Sequence, residues 1–78
     1  MEMRFQAQLN LGDAESPVPM IRTKETLDLL SVNDVLKVVV ARESAVQNIK
    51  TLVSNNPFEL LSLSKENNQY TMMIKKAG

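Results

Sequence analysis

Ser16-Pro17-Val18-Pro19-Met20-Ile21-Arg22-Thr23-Lys24-Glu25-Thr26-Leu27-Asp28-Leu29-Leu30 is the stretch on which the fold turns. Two prolines one residue apart remove two backbone donors and fix two φ angles near the helical value. A helix interior rejects such a pair. A first turn accepts it, because its N–H groups have no intrahelical partner. Met20 to Leu30 contains neither Gly nor Pro. A helix is therefore expected from about Pro17 or Pro19 to Leu30, with Val18 biased away from the α region by the proline after it. Met20, Thr23, Leu27 and Leu30 fall on one stripe, which Ile21 widens. Ser16 then lies just ahead of a helix N-terminus, as an N-cap, where a negative charge is stabilised.

Working outward, the residues on either side have strand periodicity. Upstream, Arg4 to Leu11 alternates, with Phe5, Ala7, Leu9 and Leu11 on one side and Arg4, Gln6, Gln8 and Asn10 on the other. That predicts a half-buried strand, left through a Gly12-Asp13 turn. Downstream, Asn33 is placed to take the left-handed conformation at the end of the helix. Val35 to Ala41 is the most apolar, β-branched run in the chain, and it predicts a central strand. A second helix is expected from Glu43-Ser44, with Ser44 to Gln47 as a capping box. Its core stripe is Ala45, Val46, Ile49, Leu52 and Val53, and its water-facing side is Gln47, Asn48, Lys50, Thr51 and Ser54. Asn55-Asn56-Pro57 stops it. Two strands follow, Phe58 to Ser64 and Gln69 to Lys76, joined by the turn Glu66-Asn67-Asn68. Leu60 and Leu61 leave the register of the first of these open.

The order is β-α-β-α-β-β. Right-handed crossovers put both helices on one face of the sheet. The expected fold is α/β, a two-layer sandwich with a four-stranded mixed sheet, forming one domain over residues 1–78. The expected core includes Phe5, Leu9, Leu27, Leu30, Val38, Val40, Val46, Ile49 and Leu52. Val35 and Val39, on the helix-free face, would form an apolar patch unless covered.

Composition removes several function classes. Nine basic residues balance nine acidic ones, which gives no electrostatic footprint for nucleic acid. There is no cysteine and no histidine, hence no disulfide framework, thiol nucleophile, imidazole base or zinc site. No other metal or cofactor is implied. Met1-Glu2-Met3-Arg4 begins no apolar leader, and no apolar run reaches membrane-spanning length. A cytoplasmic domain of modest stability is expected, with a core burying roughly 60% of the unfolded chain's surface.

The Gly12 loop, the Pro17-Val18-Pro19 helix start, the segment Pro19 to Lys24 and the Val35 to Ala41 strand together resemble the small sulfur-carrier proteins of the TusA/SirA type. The resemblance covers nearly the whole chain. It implies a Cys-Pro-x-Pro motif whose cysteine takes a persulfide sulfur from a cysteine desulfurase and passes it to a downstream acceptor. The logic of the site is a thiolate at a helix N-terminus that lowers its pKa. Here the motif is Ser16-Pro17-Val18-Pro19, and serine cannot hold a persulfide. The family's Asp-Ile-Pro on the second helix is Asn48-Ile49-Lys50, and glycines usual before the second and third strands are Asn33 and Asn56. The changes at Asn48 and Lys50 favour natural divergence over an isolated replacement.

The resemblance implies a protein partner, a desulfurase or a sulfur acceptor. Ser16 holds the position of the reactive residue, and Pro17, Val18 and Pro19 shape its loop. Glu15, Arg22, Asn48 and Lys50 are the candidate docking residues. The alternative is a binding or regulatory module that keeps the family scaffold without its chemistry. As a nucleophile Ser16 would need a base, for which the sequence offers only Lys24 or Glu15. Lys65, Lys75 and Lys76 form a small basic cluster, either a solvated edge or a patch for an acidic partner.

Overall fold

The computed structural model describes residues 4–78 of the chain; Met1, Glu2 and Met3 lie outside the described residues. The elements are β1 (Ala7–Gly12), α1 (Val18–Leu29), β2 (Val35–Val40), α2 (Glu43–Ser54), β3 (Phe58–Glu66) and β4 (Gln69–Lys76). They form one four-stranded sheet in the order β1-β2-β4-β3. β1 pairs parallel with β2, and β4 pairs antiparallel with both β2 and β3. The sheet is therefore mixed, and β4 is inserted between β2 and β3. No described helix is long and apolar enough to cross a membrane.

One face of the sheet carries the core. Leu36, Val38 and Val40 of β2 and Met72 and Ile74 of β4 point the same way, because strand side chains alternate. Leu27 of α1 and Ala45, Val46, Ile49 and Leu52 of α2 close over them, with Phe58 at the start of β3. Leu9 and Leu30 are half-buried at the margin of this cluster. Both helices thus lie on one face, and the molecule is 17 Å across its thin dimension.

The other face has no helix, yet it is not open apolar surface. Val39 and Met73 are each 7% exposed, and Val35 and Lys37 are half-buried. Phe5 lies beside Lys37 of this face. The sequence alternation assigned Phe5 to the core, but it is 40% exposed, with the Lys37 ammonium 5.3 Å from its ring centroid. Pairing with β2 begins only at Ala7. Just before it, the backbone N–H of Gln6 donates to Val35 O, and Gln6 Oε1 accepts from the Val35 N–H. With a bend at residue 6 the two-residue period fails there, and Phe5 leaves the core face.

Other local expectations also change. Ile21 does not widen the buried stripe of α1; it is 48% exposed, and Pro19 is buried in its stead. No capping box forms on α2, because Arg42 is the N-cap and Ser44 already lies inside the helix. Asn33 has φ 77°, so it does take the left-handed conformation. Asn56 supplies its side chain instead, donating to Leu52 O at 2.9 Å at the end of α2. The ambiguity at Leu60 and Leu61 is a real irregularity: the β3–β4 register shifts between Leu60 and Ser62.

Candidate functional site

The C-terminal ends of the parallel strands β1 and β2 lie side by side, so the loops that leave them meet. Gly12 ends β1 at φ 53°, a conformation a Cβ would strain. Its carbonyl accepts from the Ala41 N–H at 2.8 Å, which ties the two loops together at their bases. From there the chain makes two tight turns. Ala14 N–H donates to Leu11 O, and Val18 N–H donates to Glu15 O across a cis Ser16–Pro17 peptide. A cis proline at the third position of such a turn is its defining geometry.

Ser16 is consequently exposed at the tip of the loop and does not cap α1. The N-cap is Pro17, which has no side chain to offer the free N–H groups. The Ser16 hydroxyl is engaged elsewhere: Asn48, on α2, donates its side-chain amide to Ser16 Oγ. Asn48 is half-buried rather than turned to water, because the loop folds over the flank of α2.

A second clamp comes from a residue that sequence reasoning did not single out. Arg42, the N-cap residue of α2, reaches across to the loop. Its Nε lies 2.9 Å from Asp13 Oδ1 and donates to Asp13 O at 3.2 Å, while Nη2 donates to Asp13 Oδ2 at 3.2 Å. Glu15 Oε1 lies 3.7 Å from the same Nη2. The signal was present: Arg42 follows one parallel strand just as Asp13 follows the other, and such loops converge at the strands' C-terminal ends.

The structure thus gathers Ser16, Pro17, Val18, Glu15 and Asn48 around one loop, with Arg22 next along α1 and Lys50 elsewhere on α2. Arg22 stands a turn further along α1, with Nε 3.9 Å from Glu25 Oε1. Lys50 is exposed two residues beyond Asn48, and residues so spaced do not share a helix face. Pro19 is buried and serves packing. The basic cluster is dispersed as well. Lys76 Nζ donates to Leu30 O at 2.8 Å and Asp28 O at 3.3 Å, and Lys65 lies over the Tyr70 ring.

The groups around the Ser16 hydroxyl bear directly on its chemistry. Activating a serine requires a proton acceptor within hydrogen-bond reach. Asn48 is a donor to Ser16, the Glu15 carboxylate leans toward Arg42, and Lys24 is bonded to Asp28 at 2.7 Å. No group of three or more metal-ligating side chains occurs among the described residues.

Known proteins share both the sequence and the architecture. The family profile described as "Sulfurtransferase TusA" matches residues 7–76. The Methanocaldococcus jannaschii protein named "Putative sulfur carrier protein" is 32% identical over 60 residues, 77% of this chain and 80% of its own length. The "Sulfur carrier protein TusA" of Allochromatium vinosum is 26% identical over 73 residues, 94% of this chain and 96% of its own. The crystal structure of a SirA-like protein from Desulfitobacterium hafniense superposes with a TM-score of 0.74 at 22% identity, covering 94% of this chain and all of that one. That likeness establishes the fold, and the profile match over nearly the full length establishes the kinship: the chain belongs to the TusA sulfurtransferase family.

Proposed function

We propose that this protein is a sulfur-carrier homologue that carries no sulfur, because Ser16 fills the sulfur-accepting position, and that it works by binding a partner through the loop around Ser16. The observation that carries the first half is the engaged hydroxyl: Asn48 donates to Ser16 Oγ, and among the described residues no side chain accepts a hydrogen bond from it. A persulfide needs an S–S bond, which oxygen cannot supply. The second half rests on the loop itself. It is fixed to α2 at two points, by Arg42 at Asp13 and by Asn48 at Ser16, and it exposes Pro17 and Val18. A loop held in one conformation binds with less ordering cost. The partner is a protein of the sulfur relay, either a cysteine desulfurase or a downstream acceptor. The location included in this proposal is the cytoplasm, in keeping with a chain that has no disulfide to form.

Incubated with a desulfurase and cysteine, the protein is expected to gain no mass corresponding to added sulfur. The Ser16→Cys variant is expected to gain it if the docking surface is that of a carrier. Its thiol should ionise below the free value of about 8.5, since an amide N–H and the nearby helix terminus both favour the thiolate. Adding Asn48→Ala should move that pKa back upward, as read from the pH dependence of alkylation. Sulfur uptake by the unaltered protein overturns the first half of the proposal. An activated thiol that takes up no sulfur places the partner outside the relay.

A further inference from the structure

α1 exposes a stripe that a solitary helix would be expected to keep polar. Val18 is 48% exposed and Leu29 87%, and between them on the same side lie Arg22 and Glu25. The spacing is four, three, four, the seam of a helix that pairs with another helix. Ile21, also 48% exposed, flanks the seam. None of these residues contributes to the core cluster, which α1 meets through Leu27 and its neighbours on the opposite side.

The order along the seam is apolar, positive, negative, apolar. Reversing its direction maps apolar onto apolar and positive onto negative. We infer that α1 pairs with α1 of a second copy of this chain, antiparallel about a two-fold axis between Arg22 and Glu25. Val18 of each copy faces Leu29 of the other, and Arg22 of each faces Glu25 of the other. Each contact occurs twice, as a two-fold interface requires. Parallel pairing sets Arg22 against Arg22 and Glu25 against Glu25, and the repulsion selects the antiparallel form. Within one copy, Arg22 and Glu25 are only a loose pair at 3.9 Å. In the dimer four charges alternate in sign at the centre, which fixes orientation more than it adds affinity.

One helix face is small for a protein interface, so the dimer is weak, with a dissociation constant on the order of 0.1–1 mM. Sedimentation equilibrium up to about 2 mM protein is expected to show self-association in that range. Arg22→Glu should weaken it at least tenfold, and combining it with Glu25→Arg should restore most of the loss. The chain has no cysteine, so engineered thiols report the register cleanly. Val18→Cys with Leu29→Cys should give a covalent dimer under mild oxidation. The two positions are roughly 16 Å apart within one helix, too far for an internal bridge. Leu29→Cys alone should cross-link no faster than the exposed control Lys50→Cys. All these side chains are exposed, and circular dichroism checks that each variant folds. A strict monomer across the range overturns the inference. So does a double charge reversal that fails to restore association, and so does efficient cross-linking through Leu29→Cys alone.

Discussion

Thr23 is fully buried on α1, and its hydroxyl has no hydrogen-bond partner among the described residues. A buried hydroxyl left unpaired costs about 1–3 kcal/mol of desolvation, while Val has nearly the same shape and helix propensity. Thr23→Val is therefore expected to stabilise the protein by about 1 kcal/mol, seen as a higher urea midpoint at unchanged slope. At this scale the sequence was only partly informative. Periodicity placed Thr23 on the buried stripe correctly, since burial depends on local spacing. It put Asn48 in water and made Ser16 a cap, because their contact joins positions 32 residues apart. Nothing in local pattern encodes that distance. Pro17, not Ser16, occupies the cap position, and the loop's turns rather than the helix decide where the hydroxyl goes.

Among the elements, α1 ends without a basic residue in its last turn, and Lys76 of β4 supplies the missing charge at its terminal carbonyls. Replacing Lys76→Met keeps the apolar stem but removes both hydrogen bonds. The expected loss is about 1–2 kcal/mol, measured by thermal or urea unfolding. Proteolysis should then find the Leu30 to Asp34 segment sooner than in the parent. All six elements were legible before any coordinates, because long apolar periods and Pro or Asn breakers bounded them. The Asn67-Asn68 turn is clearest: φ values of 52° and 64° are those of the tight hairpin turn that such residues favour. The errors cluster at ends. β1 starts three residues late because Gln6 bonds Val35 instead of continuing the ladder. α2 starts at Glu43 without the capping box, because Arg42 takes the N-cap position.

In the whole molecule, Leu27 is the α1 member of the buried core cluster it shares with the sheet and α2, with no exposed surface. Leu27→Ala should cost about 2–5 kcal/mol through lost burial and a residual cavity. A domain of this length has roughly 4–12 kcal/mol in total, so the variant should unfold at much lower denaturant and be partly unfolded near its growth temperature. The two-layer architecture followed from the element order alone, since a β-α-β unit has one strongly preferred hand. What the order did not reveal is the burial of Val39 and Met73 on the helix-free face. The position of β4 bears on the order in which the fold can close. It is the last strand in the chain, yet it lies inside the sheet, with β2 on one side and β3 on the other. Until β4 is made, β1, α1, β2 and α2 leave one edge of β2 without its partner. Met72 and Ile74 join the core only with β4. The sheet is therefore completed by a strand made after all its neighbours, and its non-local pairing with β2 makes closure of the core a late step in folding.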